Sequence, residues 1–115
     1  LSRELLGLEP GKDSDGVLQD VHWSDGGFGY FPSYCIGNMV AAQLWAALLR
    51  QRPSLEEDFA RGDFSWLLDW LRKNVHGQGR RLDTLALVQR ATSEPLSPKY
   101  LLAYLKDRYG PLYRI

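Results

Sequence analysis

The run from Ile36 to Leu49, IGNMVAAQLWAALL, constrains the chain more than any other stretch. It is apolar nearly all round, broken chiefly by Gly37, Asn38 and Gln43, and it stops ahead of Arg52 and Pro53. A helix without a polar face has to be covered on most of its sides. Crossing a membrane takes about eighteen or more apolar residues, so this shorter run reads as a core helix. Cys35 stands at its start and reads as a small buried hydrophobe rather than a nucleophile. A single cysteine makes no internal disulfide and fits a reducing, cytoplasmic setting.

Neighbours for that helix are written into the residues after it. Ser54 and Glu57 have capping-box spacing and predict a short helix ending near Arg61 and Gly62. Asp63 is placed to cap an amphipathic helix in which Phe64, Leu67, Leu68, Leu71 and Val75 follow the i, i+3, i+4, i+7 rule. Gly77 stops it, with Lys73 and His76 in the last turn, where cations suit the helix dipole. Asp83 can cap a further helix, stapled by Leu82 and Leu87. Ser97 and Pro98 open the last one, with an expected buried stripe of Leu101, Leu102, Leu105 and Tyr109 and a stop at Gly110 and Pro111. Upstream, Leu1, Leu5, Leu6 and Leu8 read as the closing turns of a helix ended by Pro10 and Gly11. Four glycines between Gly16 and Gly29 make the stretch before Tyr34 an irregular loop, with a short helical turn at Ser14 to Gln19. The expected class is therefore all-α: a glycine-rich loop followed by a bundle of about five helices. Three or four short helices are few to cover an apolar one, and a chain that opens inside a helix reads as a fragment.

Composition narrows the partners. Fourteen basic residues offset fourteen acidic ones, so there is no field to draw nucleic acid or an anionic membrane. Trp66 and Trp70, at i and i+4, read as packing or a dimer surface and not as a carbohydrate platform.

The loop is where chemistry concentrates. Gln19, Asp20, His22, Trp23, Asp25, Tyr30 and Tyr34 can all bind, donate or position. Gly16 to Trp23, GVLQDVHW, matches the pattern G-x-x-Q-D-x-H-W, and Gly29 to Tyr34, GYFPSY, follows it, trailed by Gly37 and Asn38. His76 and Gly77, the run Ala91-Thr92-Ser93-Glu94-Pro95-Leu96, and Tyr104, Leu105 and Tyr109 continue the pattern. In these motifs, and over essentially its whole length, the chain resembles the C-terminal end of the thermostable, Taq-type metallocarboxypeptidases. Ser93 departs from the family, where glycine is usual, and should alter only a helix-terminal turn.

The resemblance implies a longer parent: a helical, cytoplasmic, homodimeric peptidase that releases C-terminal amino acids from peptides. Its divalent metal, zinc or cobalt, sits in an H-E-x-x-H motif with a downstream glutamate. No such motif occurs here, His22 and His76 are far apart in sequence, and no metal is expected on this segment alone. Residues 1–115 then form one C-terminal segment of a larger catalytic domain. Residues 1–9 are the end of a truncated helix, 10–33 the site loop and 34–115 the helical part. Its partners are peptide substrate and the missing N-terminal part of the same enzyme.

Within this reading His22, Tyr30 and Tyr34 are the catalytic candidates. An imidazole and a phenol protonated near neutral pH can donate to the oxyanion of a tetrahedral intermediate. The loop also looks, more loosely, like that of the helical zinc oligopeptidases, where His and Tyr do this work. Gln19, Asp20 and Trp23 are expected to support the loop or touch substrate, Trp23 and Phe31 mainly by packing. His76 reads as a helix-end histidine. Two other functions compete: a free-standing helical interaction module, and a glycosidase using Asp20 and Asp25, which would need the carboxyls at a set separation.

Overall fold

Pro32 opens a twenty-residue helix, α3, that runs unbroken to Gln51. In the computed structural model, which describes residues 2–114, it is the longest element. Around it in sequence lie α1 (Ser2–Leu6), α2 (Val21–Ser24), α4 (Leu55–Ala60), α5 (Ser65–Asn74), α6 (Thr84–Thr92) and α7 (Lys99–Tyr113). Short 3-10 turns occupy Asp13–Asp15, Val17–Gln19 and His76–Gln78. Among the described residues every regular element is helical, as the all-α expectation requires. None of these helices is long and apolar enough to cross a membrane. The chain divides into two compact units, Leu1–Tyr34 and Cys35–Ile115.

The second unit holds the apolar core. Leu48 of α3, Leu55 of α4, Trp70 of α5 and Ala91 of α6 are buried together, with Leu44, Leu49, Trp66 and Leu71 packed against them. Fully burying a side chain of this kind contributes about 1.5–3 kcal/mol. Trp70 can be buried because its indole N–H donates to Gln51 Oε1 at 2.9 Å.

Burial of α3 is confined to its second half, a correction to the sequence expectation. Its fully buried residues are Gln43, Ala47 and Leu48, while residues 32–38 are exposed throughout, Ile36 by 48%. Cys35, expected inside, is exposed with them. The cause is reach: the core side chains from α4, α5 and α6 meet α3 only around Leu44 to Leu49. The expected stripe on α7 is likewise absent. Leu102, Leu105 and Tyr109 are exposed, Leu101 is half-buried, and Gly110 is the buried residue of that helix. Nor does α7 stop at Gly110 and Pro111; it carries on to Tyr113. A proline removes one backbone donor, which near a helix end costs a single bond rather than the helix.

Of the expected caps only Asp83 is an N-cap that bonds through its side chain; the N-cap positions of α5 and α7 fall to Phe64 and Pro98, which make no side-chain cap, so Asp63 and Ser97 stand one residue earlier and brace the helix starts from there. Asp63 Oδ1 accepts from the Ser65 backbone N–H at 3.0 Å and from the Ser65 hydroxyl at 2.6 Å. Asp83 Oδ1 accepts from the Ala86 N–H at 2.8 Å. Ser97 Oγ accepts from the Lys99 N–H at 3.3 Å at the start of α7. Ser54 makes no side-chain cap: its φ of −84° and ψ of 11° are not the extended backbone that aims an N-cap oxygen at the helix. His76 lies past the end of α5, in the 3-10 turn. At the front, α1 ends at Leu6 and Gly7 takes a φ of 65°, so glycine closes it before Pro10 is reached.

Two polar clasps hold the second unit. Asp58, only 2% exposed, accepts from Arg52 Nε and Arg61 Nη2, so its buried charge is matched twice. Arg52 also lies over the Trp66 ring, 5.5 Å from its centroid. Gln43 has no exposure at all. Its amide N–H₂ donates to Thr92 Oγ1 at 2.9 Å and to the Glu94 and Pro95 carbonyls at 3.1 Å, and its Oε1 accepts from the Ser97 N–H at 2.9 Å. The Thr92-to-Ser97 turn is thereby tied to the centre of α3.

Candidate functional site

The first unit is built the other way round from an ordinary small fold. None of its described residues is buried, and the side chains least exposed in it are a polar pair, Asp20 at 29% and His22 at 23%. Its apolar side chains, among them Leu18, Val21, Trp23 and Phe28, are turned to the surface.

The pair is fixed by local structure. Two successive 3-10 turns lead to Asp20, and Gln19 Nε2 braces them by donating to the Ser14 carbonyl at 2.5 Å. Asp20 has the extended backbone of an N-cap, with φ −81° and ψ 96°. Its Oδ1 accepts from the His22 backbone N–H at 3.0 Å and stands 2.7 Å from His22 Nδ1. One carboxylate oxygen thus fixes both the helix start and the imidazole.

The loop then turns back on the ring. The Gly27 N–H donates to the His22 carbonyl at 2.6 Å, and a Cβ on Gly27 would lie 3.1 Å from that oxygen, so a side chain there would press directly on it. The turn brings Tyr30 over His22, ring centroids 5.2 Å apart and 26° from parallel. Tyr34, in the first turn of α3, places its hydroxyl 3.2 Å from His22 Nε2. The two tyrosine rings meet edge to face at 5.7 Å, and Phe31 closes the group at 6.0 Å from His22 and 5.9 Å from Tyr34.

Of the residues singled out in the sequence, Asp20, His22, Tyr30 and Tyr34 therefore come together. Gln19 faces the preceding turn instead. Trp23, 59% exposed, touches the Phe28 ring at 5.6 Å, so its packing is limited to one neighbour. Phe31 is more than filler, being the third ring around the imidazole; the signal was the aromatic spacing 28, 30, 31, 34. Asp25 ends α2 and Asp20 is committed to His22, which leaves no pair of free carboxyls for glycoside chemistry.

Chemically the cluster sorts into two phenols around one imidazole. An ionised carboxylate can only accept, so in the tautomer that suits Asp20 the His22 Nδ1–H donates a hydrogen bond to it. In the neutral ring Nε2 then holds a lone pair, which faces the Tyr34 hydroxyl. Among the described residues no protein group accepts from the Tyr30 hydroxyl, and the residue is half exposed. Nowhere among the described residues do three His, Cys, Asp or Glu side chains converge to hold a metal ion. Both nitrogens of His22 are engaged, and His76 belongs to the other unit. Among the described residues the donor set does not fit a metal centre.

Residues 2–109 match a family model described as carboxypeptidase Taq (M32) metallopeptidase. Thermostable carboxypeptidase 1 of Thermus thermophilus is 46% identical over 111 residues, which is 96% of this chain and 22% of that protein. Carboxypeptidase 1 of Bacillus subtilis is 43% identical over the same shares. Among solved structures, the M32 carboxypeptidase from Deinococcus radiodurans aligns with a TM-score of 0.91 at 47% identity, covering 99% of this chain and 23% of that one. The chain spans about a fifth of the length of the relatives it matches.

Proposed function

From the membership of this chain in the carboxypeptidase Taq (M32) metallopeptidase family, we infer that it forms the substrate-facing wall of a metallocarboxypeptidase and not the metal-holding part. In this reading it is one C-terminal segment of a larger catalytic domain, and the rest of the same enzyme is its first partner. The divalent metal, zinc or cobalt, is held by that remaining part. The enzyme acts in the cytoplasm as a homodimer and releases C-terminal amino acids from peptides.

One observation carries the reading: a half-exposed phenol, Tyr30, stacked on an imidazole that a carboxylate holds from behind. Peptide hydrolysis builds negative charge on the carbonyl oxygen, and a fixed neutral donor aimed at that oxygen stabilises it most in the transition state. Tyr30 is that donor. His22, with its Nδ1–H given to Asp20, is not a neutral Nε2–H donor, so its part is to set Tyr30 by stacking and Tyr34 by hydrogen bonding. Asp20 orients His22, Gln19 braces the loop, and Trp23 with Phe28 forms its outer rim. A simple interaction module has no use for such a relay of three polar groups.

If the metal and its general base lie outside the chain, the isolated chain is catalytically silent. With zinc or cobalt added, a blocked dipeptide should be turned over no faster than by buffer. Metal-dependent hydrolysis that co-purifies with the chain and is lost in Tyr30→Phe would place the whole active site here and overturn the division proposed.

A further inference from the structure

We propose that Asp20 is a positioning residue that, through His22, turns Tyr34 into a hydrogen-bond acceptor for the backbone N–H of the substrate residue whose carbonyl is attacked. The proposal rests on the reading of this loop as a peptidase wall and adds a second point of substrate recognition to it.

The polarity follows from the chain of contacts. Asp20 Oδ1 is pinned by the His22 backbone N–H at 3.0 Å and stands 2.7 Å from Nδ1. Because the carboxylate only accepts, the proton of the neutral ring is on Nδ1 and the lone pair on Nε2. Tyr34 Oη is 3.2 Å from that nitrogen, so its single proton is spent on His22 and its oxygen is left as an acceptor. Tyr30 has no such acceptor among the described residues and keeps its proton to give. Two phenols whose rings meet at 5.7 Å thus carry opposite polarity.

A peptide presents the matching pair. In an extended residue the N–H and C=O project to the same side, which is why one residue of an antiparallel ladder exchanges both bonds with its partner. Tyr30 would meet the carbonyl oxygen and Tyr34 the N–H of that same residue. No bond forms or breaks at Tyr34; its role is alignment. A penultimate residue without an N–H, such as proline, forfeits the contact.

Two measurements test this. In the protein with ¹⁵N-labelled histidine, two-bond proton–nitrogen correlation spectra of neutral His22 should show Nδ1 protonated and Nε2 bare, and Asp20→Asn should invert or mix that pattern. The mixed pattern of a free imidazole in the parent chain overturns the proposal. In the full-length enzyme, a blocked alanyl substrate is compared with its lactyl analogue, in which the alanine N–H is replaced by oxygen and the scissile amide is kept. Tyr34→Phe and Asp20→Asn should each lower kcat/KM for the alanyl substrate about tenfold, the worth of one hydrogen bond. Tyr34→Phe should lower the lactyl analogue several-fold less than the alanyl substrate. Asp20→Asn, which also loosens His22 beneath Tyr30, should lower both but the alanyl substrate more, and on the alanyl substrate the combination should cost no more than Asp20→Asn alone, since one acts through the other. Equal losses on both substrates, or full additivity, refute it. Tyr30→Phe is the control for the underlying reading: it should impair both substrates alike, and failure to do so points to the oxyanion assignment rather than to the role of Tyr34.

Discussion

Gln43 shows at the residue scale how a polar side chain inside an apolar run can be the best-buried group in a chain. In sequence it looks like an interruption of the Ile36–Leu49 helix; in the structure it has four partners in a turn some fifty residues on. Gln43→Leu keeps much of the volume and removes the partner of the Ser97 N–H and of the Pro95 carbonyl, while the Glu94 carbonyl keeps the Thr92 hydroxyl. Leaving these part-buried groups unpaired should cost about 1–2 kcal/mol in urea unfolding, with the slope unchanged. A loss below about 0.5 kcal/mol would mean that water replaces the amide. Ser93, the departure from the family pattern, has a φ of 65° at the C-cap of α6. Serine pays a steric cost there that glycine does not, so Ser93→Gly should stabilise the chain by about 0.5–1 kcal/mol. In a thermal melt that is a rise of about 2–5 °C. The composition of the site loop was legible residue by residue, because Asp20, His22, Tyr30 and Tyr34 follow a specific pattern. Their mutual geometry was not, since it depends on a glycine turn whose direction no side chain encodes.

At the scale of elements, helix starts were legible and burial was not. Asp83 is the N-cap of α6 and accepts from the N–H three residues on, which sequence spacing determines directly, whereas the N-cap of α5 is Phe64 and Asp63, expected there, stands one residue earlier and holds Ser65. Ser54 has the same spacing and fails because its backbone is not extended. The faces of α3 and α7 depend on what packs against them, so Ile36, Leu102, Leu105 and Tyr109, inward-facing by pattern, are exposed. The join between α6 and α7 adds an electrostatic element. Glu94 bonds Lys99 and faces Arg50 at 3.8 Å, while Lys99 lies 4.8 Å from the Tyr100 ring centroid. The Lys99 hydrogen bond, then that of Tyr100, holds the Glu94 carboxyl below its ordinary range, and Glu94 in turn raises the Lys99 ammonium. A lowered carboxyl pKa contributes stability that is complete above the unfolded value and is lost as pH falls through the folded one. A raised ammonium pKa contributes stability that is complete below the ordinary lysine value and is lost as pH rises through the raised one. Glu94→Gln should therefore flatten both the acid and the alkaline limb of stability against pH. Both groups are partly exposed, so added salt should shrink the difference between the variants. Parallel pH profiles for the two proteins would show that the pair has no net effect.

For the whole molecule, the apolar side chains left at the surface of both units agree with a segment that spans about a fifth of its relatives. What the segment contributes in the account above is one fixed phenol at the developing oxyanion, with a second phenol of opposite polarity beside it. The most direct measurement is steady-state kinetics of Tyr30→Phe in the full-length enzyme, with metal content and a circular dichroism melt to confirm that the variant is loaded and folded. Loss of an oxyanion donor should lower kcat by about two to three orders of magnitude and leave KM nearly unchanged, because the contact strengthens only in the transition state. A kcat within about threefold of the parent would contradict the account and remove Tyr30 from the reaction.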